Sequence, residues 1–464
     1  MKSEESRAQS IRPPLDQFFR PVALTNRDYL EAAKRSGKTV RLAIGMERED
    51  GHLSRYETPV LDEPDDRTLY YAERLVKFLL WAWGGWKIHI GGPRTIGEHI
   101  RGCYAPGGAR AFDVELMSRV YERAVEVAMV EADDVPAERE ATSAKGGHLD
   151  GCRIGFDLGA SDYKVAAVKD GTPVFSAEFA WNPKDQADPG YHFTKLNEGI
   201  AKAAGYLPKV DAIGGSTAGV VVDNQIRVAS LFRSVPVERF GEAKNIFRRL
   251  EQEWDVPVEV ANDGDVTALA GALSLGVKGV LGIAMGSSQA AGYLDPRGRM
   301  TGWLNELAFA PVDYNPQAAP DEWSGDRGVG ALYFSQQAVH KLLPAAGIEL
   351  PYDMGLPEQL KEVQTLATKG DRRSAAIYET MGVYLGYAIA QYDEFYDFEH
   401  LLVLGRVMTG EGGSILLAKA GEVLRQEFPG LAERVQLHVP DEKSRRVGQA
   451  VAAASLPAIS RQGR

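Results

Sequence analysis

Twice in this chain an apolar strand runs into a turn of small and hydroxyl residues and then straight into another strand. The first instance is Ile154-Gly-Phe-Asp157-Leu-Gly159-Ala-Ser161-Asp-Tyr-Lys164, and the second is Ile283-Ala-Met-Gly286-Ser287-Ser288-Gln-Ala-Ala-Gly292. Each opens a stretch in which strand and helix patterns alternate. After the first come a strand at Val210 to Ile213, an amphipathic helix at Arg239 to Trp254 and a strand at Val258 to Val260. After the second come helical patterns at Leu356 to Thr368 and Ser374 to Phe395, then a buried-type strand, His400 to Leu404. A strand meander followed by alternating strands and helices, and then repeated, calls for two α/β lobes and not a single sandwich.

Upstream the pattern differs. Val40 to Met46 and Leu53 to Val60 read as a hairpin about Glu49-Asp50-Gly51, Thr68 to Trp83 has helical spacing, and Trp86 to Ile90 is a short strand before Gly91-Gly92-Pro93. Ala124 to Val130 alternates like a strand. Glu131 to Asp150 is polar, holds Pro136 and Gly146-Gly147, and lacks apolar periodicity. The expected partition is therefore an N-terminal α+β domain over residues 1–130, a linker over 131–150, a first lobe over 151–262, and a second lobe with a C-terminal helix over 263–464.

A formal charge of −11 argues against a general affinity for nucleic acid or anionic membrane. The two cysteines, Cys103 and Cys152, make neither a disulfide framework nor a four-cysteine zinc site, which suits a reducing compartment. The start, Met1-Lys-Ser-Glu-Glu-Ser, is polar, and the apolar stretch Leu75 to Trp86 is too short to span a bilayer, so a cytoplasmic location is expected. The scattered histidines read as surface or core residues, and the aromatic group Tyr70, Tyr71, Phe78, Trp81, Trp83 and Trp86 as a core or domain interface.

Four strand ends carry candidate chemistry. At the first, Gly159 lets backbone approach a phosphate, Ser161 donates a hydrogen bond, and Asp157 holds a hydrated magnesium ion; the alternative is an ordinary hairpin turn. Gly286, Ser287 and Ser288 offer the same cradle, with the same alternative. At Val258-Glu-Val-Ala-Asn262-Asp263-Gly264-Asp265 a strand opens into a helix, where Asn262 suits a hydroxyl-rich ligand and Asp263 suits a base for phosphoryl transfer. The competing reading there is that Asp263 or Asp265 caps the helix. Finally, Gly405, Gly410, Gly412 and Gly413 follow a buried strand into a helix, a surface on which adenosine can lie.

In order and spacing these four segments resemble the actin-like ATPase superfamily, and within it the ROK family of sugar kinases and sugar-responsive repressors. Asp157 to Ser161 is similar to its first phosphate motif, Gly214-Gly-Ser-Thr-Ala-Gly219 to its glycine turn, and Gly286-Ser287-Ser288 to its second phosphate motif. Asn262-Asp263 resembles its Asn-Asp pair, Gly405 to Gly413 its adenosine motif, and Val447 to Ser455 its closing helix. The resemblance spans residues 151 to 458 and implies an α/β, two-lobed (ribonuclease H-like) fold that transfers phosphate from ATP, with Mg²⁺, to a sugar or polyol. It implies Asp263 as base, Asn262, Glu306 and Gly215 on the acceptor, and Asp157, Gly159, Ser161, Lys164, Gly286, Ser287, Ser288, Gly405, Gly410, Gly412 and Gly413 on the nucleotide. It further implies a homodimer.

The chain departs from the family where the motif Gly-Glu-x-Gly-His is expected. Here it reads Asn305-Glu306-Leu-Ala-Phe309, and the cysteine-rich zinc motif that should follow is replaced by Trp323 to Gly330, so no zinc site is expected. These departures leave room for a second function, a sugar or nucleotide sensor that has lost turnover. Residues 1–130 hold no compact basic helical trio, which disfavours a DNA-binding repressor. Their order of strands and helices mirrors the start of the first lobe, so they are either a half-copy of it or an appendage that packs on the lobes or mediates dimerisation.

Overall fold

A computed structural model describes residues 9–140, 145–439 and 442–459, with side chains from 448 onward in the last stretch. Residues 141–144 of the expected linker, the first eight residues and the Val447 side chain lie outside the described residues. The chain forms two compact units, each assembled from segments distant in sequence. One takes Met1–Ala141, Ile283–Ala291 and Gly302–Val439; the other takes Thr142–Gly282, Gly292–Thr301 and Pro440–Arg464. These bounds do not follow the partition drawn from sequence. The N-terminal region shares a unit with residues 302–439, and the C-terminal helix goes with residues 142–282.

In the N-terminal region, helix α1 (Val22–Ser36) precedes strands β1 (Thr39–Glu47) and β2 (Leu53–Leu61), which pair around a turn with Asp50 at φ 57°. Helix α2 (Asp66–Trp83) follows, then β3 (Lys87–Gly91), α3 (Arg94–Cys103), α4 (Ala111–Tyr121) and β4 (Glu126–Val130). The sheet order is β2-β1-β3-β4. The sequence reading found the strands and α2 but not α1 or α4. It also took residues 131–140 for linker, yet Val135 is buried, Arg139 bridges Leu53, and Glu140 pairs with Arg48 at 2.6 Å. Polar composition there reflects ion pairing to the sheet.

The second unit is built on strands β5 (Cys152–Leu158), β6 (Asp162–Lys169) and β7 (Thr172–Ala180), an antiparallel meander. Helix α5 (Pro189–Ala204) leads to β8 (Ala212–Thr217), parallel to β5; a small hairpin, β9 (Val220–Val222) and β10 (Gln225–Val228), comes next. Helices α6 (Phe240–Lys244) and α7 (Ile246–Trp254) then lead to β11 (Val258–Asn262), parallel to β8, and to α8 (Asp263–Leu275). The order is β11-β8-β5-β6-β7. Ile154, Phe156, Val165, Ile213 and Val260 project into one core with Leu196, Ile200, Phe247 and Leu250 from the helices.

A second sheet repeats this order. Strands β12 (Val280–Met285) and β13 (Gln289–Leu294) form the hairpin, and after α9 (Gln336–Ala346), α10 (Leu356–Thr368) and α11 (Arg372–Tyr392) comes β14 (His400–Leu404). Helices α12 (Glu411–Glu427) and α13 (Pro429–Arg434) precede β15 (Gln436–His438), parallel to β14. The order β13-β12-β14-β15 matches β6-β5-β8-β11, which is the repetition read from the sequence. No helix among the described residues is long and apolar enough to cross a membrane.

Helix α14 (Glu442–Ala454) closes the sheet of the second unit, and glycines decide how. A Cβ on Gly155 would stand 1.7 Å from the Ala450 carbonyl oxygen, and one on Gly214 would stand 1.7 Å from that of Ala453. The helix thus lies on bare backbone of β5 and β8. Its far end is clamped by the buried Arg153 guanidinium, which donates to the carbonyl of Pro457 at 2.7 Å. Gly214→Ala is expected to cost at least about 1–3 kcal/mol by overpacking and to release α14 to protease, measured by thermal unfolding and by cleavage within residues 442–459.

Candidate active site

Parallel pairing brings three strand ends of the second unit together. Asp157 on β5 stands in register with Ser216 on β8, and Thr217 with Asn262 on β11. This is the C-terminal edge of a parallel set, where open α/β sheets present ligand-binding groups.

Asp157 is only 7% exposed. The Ser216 hydroxyl donates to its Oδ1 at 2.9 Å, and Lys164 Nζ lies 3.6 Å from Oδ2 and 3.6 Å from Asp162 Oδ1. Burial raises the Asp157 carboxyl above its ordinary range, while Lys164 and Ser216 oppose the rise. Asp263 goes further: burial first, then the charge of Asp157, push it up to about 7, against the first-turn amides of α8. The charge of the buried Asp157 thus acts on a half-buried Asp263. Such a pair fits a hydrated divalent cation, whose charge would relieve the repulsion.

The cap of α8 is Asn262, and neither of the two acids proposed for it. Its Oδ1 accepts from the Gly264 N–H at 2.7 Å, and its Nδ2 donates to the Gly219 carbonyl at 2.8 Å. Asp265 instead accepts from the Tyr293 N–H at 3.2 Å. Asn262 thus fixes the strand-to-helix turn that presents Asp263.

The turn between β5 and β6 is held by its own backbone. Gly159 N–H donates to the Asp162 carbonyl at 2.9 Å, and the Trp181 indole donates to the Gly159 carbonyl at 2.9 Å. Ser161 is exposed, with its hydroxyl donating to Asp162 Oδ2 at 3.1 Å. Gly215 is placed differently from the expectation that it meets an acceptor. It is buried on β8, and a Cβ there would stand 2.1 Å from the Phe156 ring, so its role is packing.

The remaining predicted residues lie in the other unit. Ser287 and Ser288 are exposed at the tip of the β12–β13 hairpin, whose Gly286 carbonyl accepts from Gln336 N–H at 2.9 Å. Gly405, at φ 102°, passes so close to β12 that a Cβ would sit 2.4 Å from the Met285 carbonyl oxygen. Gly410, at φ 73°, is exposed and starts α12. Gly412 and Gly413 are buried, the first against the Tyr378 ring and the second against the Met408 carbonyl. Those two serve helix packing, and what they offer a ligand is limited to first-turn N–H groups.

Glu306 precedes a short helical turn, and its backbone is laid along the end of α2. The N–H groups of Leu304, Asn305 and Glu306 donate to the carbonyls of Trp83, Ala82 and Trp81 at 3.2, 2.9 and 3.0 Å. Phe309, standing where the ROK motif has histidine, packs against Trp81 with ring centroids 4.5 Å apart and against Phe112 at 5.2 Å. Among the described residues no group of three His, Cys, Asp or Glu side chains is placed to hold a metal ion. Sequence reasoning missed Ser216 and Gln449. Gln449 Nε2 lies 3.3 Å from Ser216 Oγ and 3.5 Å from the Asp263 carbonyl, a meeting that depends on how α14 seats. Ser216 lies within Gly214–Gly219, but its partner is set by strand register alone.

No family model and no curated protein matches the chain. Solved structures do. The chain is similar to a ROK family transcriptional regulator described as a homologue of the E. coli MLC protein, at 20% identity over 66% of this chain and 78% of that one, with TM-score 0.52. It is similar to ROK hexokinase from Thermus thermophilus at 18% identity, over 66% of this chain and 97% of that one, with TM-score 0.52. The fold is therefore the two-lobed actin-like ATPase fold of ROK proteins. At such identity the likeness establishes the fold and leaves the chemistry to the residues.

In a carboxyl-selective NMR titration, Asp263 is expected to titrate near pH 7, well above an ordinary aspartate at about 4. Asp157→Asn is expected to lower that midpoint and still leave it above the ordinary range, because burial is the larger cause.

Proposed function

We propose that this chain transfers the γ-phosphoryl group of ATP to a hydroxyl of a sugar or related polyol, with Asp263 as general base. The observation that carries this reading is a carboxyl at about 7, placed by a capped strand-to-helix turn at the C-terminal edge of parallel strands. A base poised near working pH is in the right protonation state and still strong enough to accept a proton. The similarity in fold to a ROK hexokinase is consistent with it.

Asp263 would take the proton of the acceptor hydroxyl as its oxygen attacks the γ-phosphorus, and the bond to the bridging oxygen of ADP would break. Asp157 would hold Mg²⁺ through water, and the ion would supply charge neutralisation for the phosphates. Lys164 would add a cation beside it. Ser161, with Ser287 and Ser288, would donate to phosphate oxygens; Gly159 and Gly286 would leave backbone bare for their approach, and Gly410 would leave a bare surface for adenosine. Glu306 would orient acceptor hydroxyls, and Asn262 would do so with the amide hydrogen not used on Gly219. A cytoplasmic homodimer fits the same reading.

One observation favours a second reading, a sugar or nucleotide sensor without turnover. Phe309, in place of the expected histidine, is turned into an aromatic cluster and has no polar atom to offer an acceptor.

Purified protein with ATP, Mg²⁺ and a panel of sugars, amino sugars and polyols is expected to release ADP only when a matching acceptor is present. Asp263→Asn should lower kcat by about 10²–10⁴-fold. Because the base acts deprotonated, kcat/KM should climb with pH and level off above about 7. Binding of ATP or sugar in a thermal-shift scan, with no ADP formed from any acceptor, would move the assignment to the sensor.

A further inference from the structure

Residues 305–330, which carry Glu306 and stand where the fold family has its zinc motif, contain no cysteine and no histidine. Zinc needs N and S donors in a tetrahedral set, and this segment supplies none. What meets it is the N-terminal region of the same unit. Asp326 lies within 2.9 Å of Arg74 Nη1, 3.2 Å of Lys77 Nζ and 3.1 Å of Arg110 Nη1. Lys77 in turn meets both oxygens of Asp113 at 2.9 Å, and Arg110 pairs with Glu73. Three cations thus balance three carboxylates, and Glu73, Arg74, Lys77 and Asp113 are each at most 5% exposed. Burial alone would raise Asp326, but Arg74, Lys77 and Arg110 together pull it well below the ordinary carboxylate range.

This cluster, the three backbone bonds from the end of α2 and the Trp81–Phe309 contact all act on one segment. We propose that α2 and its ionic cluster replace the structural zinc of the fold family, anchoring residues 302–330 and so positioning Glu306. The N-terminal region is then a built-in scaffold for the acceptor-binding segment. The anchoring stands on the contacts alone; the consequence for acceptor binding rests on the function proposed above. Asp326 and Arg110 are positioning residues in this account, since neither needs to touch a substrate.

The test uses full-length protein produced with zinc in the medium. Metal analysis is expected to find no stoichiometric zinc, and chelation to leave Tm unchanged. Asp326→Asn should speed hydrogen–deuterium exchange across 302–330 while leaving 151–230 as in the parent, and Asp326→Glu should restore most of the protection. If the single variant does not fold, Arg110→Gln combined with Asp326→Asn keeps charges balanced at two against two and should show the same faster exchange. In the kinase assay Asp326→Asn should raise the KM for sugar by up to about 10²-fold while the KM for ATP stays unchanged. Stoichiometric zinc whose removal lowers Tm, or unchanged exchange over 302–330 in both variants, overturns the proposal. The exchange and metal readouts need no catalysis, so a protein that proves not to be a kinase still decides the anchoring. Altered exchange with an unchanged sugar KM in an active enzyme would refute the role given to Glu306.

Discussion

Two strand positions without side chains decide how the second unit is closed. At Gly155 and Gly214 the carbonyls of Ala450 and Ala453 occupy the space any Cβ would take. That approach sets the depth of α14 on the sheet, and with it the place of Gln449. From there a chain of contacts runs inward, from Gln449 to Ser216, from Ser216 to Asp157, and by charge from Asp157 to Asp263. The seating of α14 on bare backbone thus reaches, through Gln449 and Ser216, the carboxylate whose charge acts on Asp263. Burial is the larger cause of the raised Asp263 value, and the close lid formed by α14 suits that environment.

The other unit handles a different problem, which is how to bury a helix as polar as α2. Lys77 is fully buried and Arg74 nearly so, and a desolvated cation left unpaired is strongly destabilising. Each therefore finds carboxylates, Asp113 from α4 and Asp326 from a loop more than two hundred residues away. Such pairs add little net stability over apolar packing, but their geometry is exacting, and this suits a cluster that fixes a loop. The aromatic residues of α2 complete the contact. Phe78 and Trp83 meet Phe395, and Trp81 meets Phe309. Of the aromatic group read from sequence, Tyr71, Phe78, Trp81 and Trp83 are buried on this helix, whereas Tyr70 is exposed and Trp86 lies beyond its end.

Much of the fold was legible because it rests on local signals. The paired strand–turn–strand segments, the hairpin about Asp50 and the α2 periodicity each depend on residues close in sequence. The site was legible where a strand end carries its own chemistry, as at Asp157 and Asn262-Asp263. It was not legible where a residue's role depends on a distant partner. Asn262 reads from sequence as a ligand contact, and its cap on Gly264 and its bond to Gly219 exist only once the turn has formed. Gly215, Gly412 and Gly413 show the same ambiguity, since a glycine beside a motif looks alike whether it faces a phosphate or a buried ring. Residues 131–140 read as linker because their anchors, Arg48 and Leu53, lie about ninety residues earlier.

The N-terminal sheet shows why strand order alone does not make a site. Its order β2-β1-β3-β4 matches β6-β5-β8-β11, the similarity that suggested a half-copy, yet β3 runs antiparallel to β1 where β8 runs parallel to β5. The cause is parity. A three-strand meander delivers the chain to the crossover helix at the end where β5 finishes, so the next strand returns alongside β5. The two-strand hairpin β1–β2 delivers it at the opposite end, so β3 enters reversed. The glycine turn that follows β3 therefore does not lie beside the C-terminal end of β1 as the turn after β8 lies beside that of β5. A Cβ on Gly91 would also meet the Ala132 backbone at 2.7 Å, which marks that glycine as a packing position. A sheet that enters on two strands in place of three has no such shared edge as the one on which Asp157 and Asn262-Asp263 end, and it serves here as a scaffold.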